Sequence, residues 1–254
     1  MCFLVVDSPA MSLILALDSS TDACSVALNR DGKLGIRHEI ATKSHTQRLL
    51  PMVDEVLGEE GISVSEVDVI AFGRGPGSFT GLRICMGIVQ GLAYGSGIPV
   101  VPVSTLEAMA LQVYRQHPEW RGPVMVALDA RMDEVYWGLF EYAGNDSLAN
   151  PSGEHVMKPV DVMAHASLVN LPPFIAAGPG WHYPLMQALA SRQATACLLD
   201  IQPRAEEIAL LAVSVVEAGR TQDIHAVQPV YLRDSVSWQK RQRIREQALV
   251  LDRD

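Results

Sequence analysis

The 254-residue sequence is poor in cysteine: it contains four, and no two of them form a Cys-x-x-Cys pair. This spacing indicates neither a zinc cluster nor a disulfide framework. Three of the four lie within apolar runs, where a free cysteine is most simply a small core residue. Cysteine used in this way is typical of a reduced, cytosolic protein, so we predict a cytoplasmic location.

Long apolar runs and an excess of positive charge are absent as well. No run approaches the roughly 20 apolar residues that span a bilayer, so no membrane association is expected. The first ten residues lack a basic segment and make a poor signal peptide, and the sequence leaves open whether Met1 or Met11 is the true start. A formal net charge of -9 argues against nucleic-acid binding as the main activity of the chain alone.

Common catalytic and metal-binding patterns are missing too. The sequence has no His-x-x-x-His pair, no Gly-x-Ser-x-Gly elbow and no cysteine with an evident histidine partner. Its seven histidines are scattered, and His45 is interpreted as a hydrogen-bonded residue at the start of a helix. We therefore predict no catalytic residue and no metal site in this chain.

What the sequence does contain is the pattern of a globular α/β protein, with 48% hydrophobic and 19% charged residues. An Asp31-Gly32 hairpin signal lies within an initial three-stranded meander. Pro51 in the first helix predicts a late start or a kink, and residues 145–153 are predicted to be a loop. The predicted strands are 13–18, 23–29, 34–40, 67–72, 99–103, 124–129, 134–142, 174–177 and 197–199, and the predicted helices are 45–57, 78–94, 104–115, 159–166, 181–190 and 205–217.

The rest of the chain is organised around residues 70–95, IAFGRGPGSFTGLRICMGIVQGLAYG, where a strand passes through a glycine-proline turn into a long helix. Ser78 is a suitable N-cap for that helix. The turn resembles a phosphate nest, but it lacks the Lys-Ser/Thr ending of a P-loop, so a structural turn is favoured. Apolar residues and glycines cover nearly the whole helix circumference and leave a narrow stripe of Arg83, Gln90 and Tyr94 for water. Such a helix lies deep in a core or meets another chain.

Several stretches closely resemble the bacterial TsaB (YeaZ) family, among them ILALDSSTDACSVAL, GRGPGSFTGLRICMGIVQGLAYG, ALDARMDEVYWGLF and PVYLRDSVSW. Together the resembling stretches extend over most of the chain. The resemblance implies an α/β fold of the actin-like ASKHA type, with two lobes that each contain a mixed β-sheet and packed helices. It implies an N-terminal lobe at 13–103, a C-terminal lobe at 104–204, a late helix at about 205–219 that packs back on the first lobe, and an irregular basic tail at 228–254.

The same resemblance implies a function. TsaB proteins are partners of TsaD in forming N6-threonylcarbamoyladenosine next to the anticodon of tRNAs that read codons beginning with A. We therefore expect a non-catalytic subunit that dimerises with TsaD and activates it, with the TsaE ATPase engaging the complex and tRNA bound only through the complex. Alone, the chain is expected to form a homodimer. An ATP-dependent ASKHA phosphotransferase is the alternative, and a peptidase is a less favoured one.

In ASKHA proteins the first hairpin usually holds a phosphate, and the matching turn here is Asp18-Ser19-Ser20-Thr21. Ser20 stands where a glycine is usual, which makes a close backbone approach harder, although the hydroxyls of Ser19 and Thr21 could still hold a phosphate. The alternative is that Asp18 and Thr21 only complete a tight turn. No cofactor of the chain's own is expected, and weak ATP or ADP binding, here or at the partner interface, stays open.

The first two helices carry more apolar surface than one lobe can cover, which predicts a partner surface. Glycines four residues apart leave a smooth strip along which another helix can approach closely. The alternative is that both helices are enclosed between the sheet and the C-terminal helix. The predicted interface residues are Leu49, Leu50 and Val53 of the first helix, and Ile84, Gly87, Ile88, Gly91 and Gly95 of the second.

A basic segment near the C-terminus contrasts with the acidic chain. Lys240, Arg241, Arg243 and Arg245 follow Trp238 within a few residues. One interpretation is a solvated chain end, and the other is an RNA contact that works only beside a partner.

Overall fold

The computed structural model of the protein describes residues 12–40, 44–144 and 146–233. The first sheet has the strand order β3-β2-β1-β4-β5. Its first three strands are antiparallel neighbours, whereas β4 and β5 run parallel to β1, so the sheet is mixed. The strands are β1 (Leu13–Asp18), β2 (Ala23–Arg30), β3 (Lys33–Ile40), β4 (Val69–Gly75) and β5 (Val100–Ser104).

The predicted hairpin between β2 and β3 is confirmed. Asp31 and Gly32 both have positive φ values, 55° and 84°, as the two central residues of a tight hairpin turn require. The side-chain oxygen of Asn29 accepts a hydrogen bond from the Gly32 amide at 2.8 Å. This turn fixes the register of β2 and β3, which pair from Arg30 and Lys33 to Ala23 and Ile40.

Helices α1 (His45–Glu59) and α2 (Phe79–Ser96) pack against one face of the first sheet and bury a common apolar core with it. Helix α1 begins at His45 and continues through Pro51, so the predicted late start is wrong. Apolar side chains on both sides of the proline, Leu49 and Met52, are buried against the sheet and hold this part of the helix in place. The predicted N-cap of α2 is confirmed, because the Ser78 hydroxyl accepts the Gly81 amide at 3.3 Å.

The second sheet is also mixed and has the order β11-β10-β6-β7-β8, with β9 paired to β7. The segment 145–153, predicted as a loop, contains β8, and β9 follows it without having been predicted. Both strands are short and are defined by their pairing with the long strand β7. Their own residues therefore show little of the alternating pattern that predicts a strand. The strands are β6 (Val124–Arg131), β7 (Glu134–Gly144), β8 (Ser147–Ala149), β9 (Glu154–Met157), β10 (Phe174–Ala177) and β11 (Ala194–Leu198).

Helix α3 (Thr105–Gln116) and helix α6 (Ala205–Glu217) pack against each other between the two sheets. Nearly every residue of α3 is buried, because its apolar residues divide between the two cores on its two sides. Helix α6 covers the second face of the first sheet, and the Ala205 amide donates to the Ser25 hydroxyl at 2.9 Å. The chain therefore returns to its first sheet after completing its second one.

The remaining helices cover the outer face of the second sheet. The helix predicted at 181–190 begins later, at Pro184, because a 3-10 turn occupies Pro179–His182 and a proline favours the first helical position. None of the helices in the described part of the chain has the length and hydrophobicity needed to cross a bilayer. These helices are α4 (Pro159–Met163) and α5 (Pro184–Gln193), and the other 3-10 turns are Val64–Glu66, Ala166–Leu168 and Ile224–Ala226. The α/β architecture with two mixed sheets and packed helices is as predicted.

Candidate functional site

The Asp18-Ser19-Ser20-Thr21 turn lies at the end of β1, and its first three residues are buried. The Asp18 carboxylate accepts hydrogen bonds from the backbone amide of Ser20 at 3.1 Å and from its hydroxyl at 2.9 Å. The Ser19 hydroxyl donates to the carbonyl of Gly81 at 3.0 Å. The Thr21 hydroxyl accepts the Ala23 amide at 3.3 Å. The hydroxyls of Ser19 and Ser20, which could hold a phosphate, thus already donate within the chain.

The first turn of α2 closes over this segment. The Ser78 amide donates to the Ser20 carbonyl at 2.7 Å. A Cβ atom added to Gly77 would lie 2.4 Å from that carbonyl oxygen, and one added to Gly81 would lie 1.9 Å from the carbonyl oxygen of Ser19. The glycines therefore serve a backbone-to-backbone contact, not an open cradle for a ligand. The prediction that this glycine-rich turn is structural agrees with the geometry.

The predicted phosphate role of Asp18, Ser19, Ser20 and Thr21 stays a prediction that this arrangement makes more demanding. In this structure the three residues are interior groups covered by α2, and a phosphate could reach them only if the helix start moved away. The sequence did not indicate this covering, because the residues that fill the turn lie more than fifty positions further along the chain, where a local motif cannot show them. The alternative stated from the sequence, a turn completed by its own polar groups, describes what is observed.

Burial also changes the chemistry of Asp18. Desolvation raises the pKa of its carboxyl group to about 6, and the hydrogen bonds from Ser20 offset only part of the effect. Its second oxygen, Oδ1, has no hydrogen-bond partner among the described residues. An added Cβ at Gly73 would lie 2.0 Å from that oxygen, so the residue packs directly against β4. The folded state is therefore more stable when the buried Asp18 carboxyl is protonated than when it is charged.

A second glycine pair, Gly178 and Gly180, follows β10 and also contacts backbone. Gly178 has a φ of +101°, and a Cβ there would lie 2.4 Å from the carbonyl oxygen of Ala127. A Cβ on Gly180 would lie 2.7 Å from the carbonyl carbon of the same residue. Both glycines thus pack the 3-10 turn against β6, and this segment is not an open cradle either.

The predicted role of His45 is confirmed. Its Nε2 donates to the carbonyl oxygen of Thr21 at 2.8 Å, which ties the start of α1 to the end of the β1 turn. Among residues 12–40, 44–144 and 146–233, no group of three His, Cys, Asp or Glu side chains is placed to hold a metal ion.

The outer face of α2 is open. Gly87, Gly91 and Gly95 lie on it, and an added Cβ at any of the three would have no neighbour within 4 Å. Ile84 and Ile88 flank the strip and are partly buried, and Tyr94 on the same face is 73% exposed. We call this surface the glycine face of α2.

The predicted contribution of α1 to that surface is only partly right. Leu50 is 44% exposed, but Leu49 and Val53 are 0% and 1% exposed and belong to the core under the helix. An apolar residue can face the sheet or the solvent, and the sequence pattern does not say which when the apolar arc is wide. Leu49 and Val53 are therefore core residues and are removed from the interface.

The structure also brings together a polar cluster that the sequence did not indicate. An Arg74 Nη atom lies 3.3 Å from the Glu154 carboxylate, and the Ser104 hydroxyl donates to the same carboxylate. Burial and the neighbouring Glu154 charge raise the pKa of Glu107. These residues come from the ends of β4 and β5, the start of α3 and the strand β9, and no sequence signal links β9 to the others. The predicted RNA contacts Lys240, Arg241, Arg243 and Arg245 lie outside the described residues.

The family model described as tRNA N6-adenosine threonylcarbamoyltransferase (TsaD) matches residues 23–239. The tRNA threonylcarbamoyladenosine biosynthesis protein TsaB of Escherichia coli K12 is 40% identical over 89% of this chain and 97% of its own. The Haemophilus influenzae protein of the same name is 37% identical over 89% and 96%. Two solved structures from Pseudomonas aeruginosa, YeaZ and a protein described as similar to peptidase YeaZ, superpose with TM-scores of 0.76 and 0.78, at 38% and 40% identity, and the chain covers 100% of each.

A pair of alanine substitutions tests the filled turn. We expect Gly81→Ala to lower the free energy of unfolding by about 1–3 kcal/mol, because its Cβ would overlap the Ser19 carbonyl. Gly87→Ala in the same helix meets open space and should raise the stability by up to about 1 kcal/mol through helix propensity. Urea unfolding of both variants measures this. Equal effects of the two substitutions would mean that the turn is not closed over by α2.

A second prediction concerns pH. The folded chain binds a proton on Asp18 more tightly than the unfolded chain, so the penalty for its charge grows as pH rises from about 4 to about 6 and persists above. Asp18→Asn should therefore match the wild type near pH 4 and exceed its stability near pH 7, by on the order of 3 kcal/mol. Denaturant titrations at both pH values check this. A stability difference that does not change with pH would contradict it.

Proposed function

The chain belongs to the TsaB (YeaZ) family of tRNA threonylcarbamoyladenosine biosynthesis proteins, and on that premise we propose that it is a non-catalytic subunit of the complex that makes this modification. Its partner is the paralogue TsaD, which it binds and activates for threonylcarbamoyl transfer to the adenosine next to the anticodon, in tRNAs that read codons beginning with A. The TsaE ATPase engages the complex, and tRNA is bound through it.

The observation that carries this proposal is the glycine face of α2. Gly87, Gly91 and Gly95 are spaced four apart, so they lie on one side of the helix with no side chain above the backbone. A partner helix can approach such a strip closely enough for extensive van der Waals contact. Exposed Leu50 and Tyr94 are large side chains that can anchor the partner at the two helices. Without TsaD, the same face pairs two copies of this chain as a homodimer.

The closed turn at Asp18 supports the non-catalytic part of the proposal. A phosphotransferase of this fold would need ATP to reach that turn, and the α2 contact with Ser19 and Ser20 stands in the way. ATP or ADP is accordingly expected on the partner. Binding of magnesium-ATP to the chain alone, seen by calorimetry, would favour the phosphotransferase instead.

Reconstitution with purified TsaD, its threonylcarbamoyl-adenylate substrate and tRNA tests the role directly. Transfer should depend on this chain. We expect Gly91→Arg to weaken association with TsaD and self-association at least about tenfold and to lower transfer in parallel, because an arginine side chain stands on the strip. Co-sedimentation and the transfer rate are the measurements.

Gly58→Arg is the matched control for that experiment. Gly58 is also an exposed helical glycine, and an added Cβ there has no neighbour within 4 Å, but it lies near the end of α1, on a different helix from the glycine face. Its variant should fold, associate and support transfer as the wild type does. Transfer that proceeds without the chain, or that Gly91→Arg leaves unchanged, would defeat the proposal.

For the basic tail we propose a contact with tRNA within the assembled complex. Replacing Lys240, Arg241, Arg243 and Arg245 by glutamine should weaken tRNA binding by the complex and reduce its dependence on salt concentration, because fewer counterions are released. Binding measured at several salt concentrations, with the TsaD association measured alongside, checks this. An unchanged salt slope would leave the tail as a solvated chain end.

A further inference from the structure

The last described segment, residues 228–233, runs from the first sheet to the second. The Val230 amide donates to the carbonyl oxygen of Arg74 at the end of β4, at 2.9 Å. The Tyr231 ring lies 5.6 Å from the Phe79 ring at the start of α2, and its hydroxyl accepts Nε of Arg83 at 3.2 Å. These contacts attach the first part of the segment to the first lobe, which we define by the first sheet with α1, α2 and α6.

The end of the segment contacts the second lobe, defined by the second sheet with α4 and α5. The guanidinium of Arg233 donates to the carbonyl oxygen of Ala130 at 3.1 Å, to Sδ of Met132 at 3.0 Å and to the Glu134 carboxylate. All three acceptors lie within residues 130–134, where β6 turns into β7; we call this segment the β6–β7 turn. One side chain therefore takes three acceptors from a single turn, and the Arg233 side chain is only 18% exposed.

The turn that Arg233 holds is costly for the backbone. Arg131, Met132 and Asp133 all have positive φ values, 63°, 57° and 57°, a conformation that disfavours residues with a Cβ atom. Arg233 binds the residue just before these three and the residue just after them. It thus holds both ends of the unfavourable segment through hydrogen bonds whose donor, the guanidinium, is charged.

A second connection between the lobes meets the first at Arg74. Its carbonyl accepts the Val230 amide, and its guanidinium lies 3.3 Å from the Glu154 carboxylate on β9 of the second lobe. Glu154 also accepts the hydroxyl of Ser104 from the end of β5. The end of β4 is therefore joined to the second lobe both through the segment 228–233 and through Glu154.

We infer that residues 228–233 form an interlobe latch, which holds the two lobes in one relative position. Arg233 is the residue that attaches this segment to the second lobe. If the segment left its place, the β6–β7 turn would lose its hydrogen bonds from Arg233, and the Arg74 carbonyl would lose its hydrogen bond from the Val230 amide.

Hydrogen exchange of the full chain tests the local part of the latch. In Arg233→Gln, exchange at the amides of residues 131–134 and at Val230 should accelerate about tenfold or more, while β1 and β2 keep their protection. Glu134→Gln should give the same pattern more weakly, and it decides the matter if Arg233→Gln does not fold. Arg131→Gln is the control, because Arg131 lies in the same turn, bonds to the neighbouring Asp129 and has an 81% exposed side chain.

Distance measurements test whether the segment fixes the lobes. Spin labels at exposed Gln47 on α1 and Ala188 on α5, in a chain with Cys2→Ser and Cys197→Ser, report the interlobe distance when diluted into unlabelled chain. The distribution should be narrow in this background and broaden or shift with Arg233→Gln, but not with Arg131→Gln. Accelerated exchange with an unchanged distance distribution would show that Arg233 orders only the β6–β7 turn. Unchanged exchange would show that Arg233 does not order that turn either. Either result overturns the latch.

Discussion

The close contact between the Ser19-Ser20 turn and the first turn of α2 is the constraint on which the arrangement of the first lobe depends. It requires that Gly77 and Gly81 carry no Cβ, since backbone atoms occupy that space. The contact fixes where α2 begins and how it is rotated about its axis. With 100° between successive residues, that rotation decides that Cys85 faces the core while Gly87 faces outward. A loop contact near the end of β1 thus determines which surface the helix presents.

The glycines between the end of β4 and the end of α2 serve two opposite purposes. Those at 73, 77 and 81 are required by the interior, where any side chain would collide with β1 or the turn that follows it. Those at 87, 91 and 95 meet nothing within the chain and lower the stability of the isolated helix by roughly 1 kcal/mol each relative to alanine. Packing within one chain therefore does not explain why glycine stands at positions 87, 91 and 95. The partner helix proposed above, which needs the backbone bare, would give a reason.

Much of the fold could be predicted from the sequence, because β1, the Asp31-Gly32 turn and the Ser78 cap are specified by residues next to one another. The site was less predictable. Whether Ser19 is free to bind a ligand depends on Gly81, which is distant in sequence, and whether Leu49 faces the core or the solvent depends on how α1 is rotated against the sheet. Strand β9 and Glu154 gave no signal, since a four-residue strand is defined by its pairing with β7. In each case the missing information is a contact between segments that are distant in sequence. Local periodicity does not report such contacts.

The return of α6 to the first sheet has a consequence for synthesis on the ribosome. The five strands of that sheet have all been made by residue 104, but Ile14, Ala16 and Ala27 on one of its faces stay uncovered until Ala205 and the residues after it arrive. At ordinary translation speeds the interval is roughly 5–20 seconds. During that time a nascent chain exposes an apolar sheet face next to α3, and the bond between Ser25 and Ala205 closes a loop with a sequence separation of 180. The first lobe is thus completed only after all strands of the second sheet have been made.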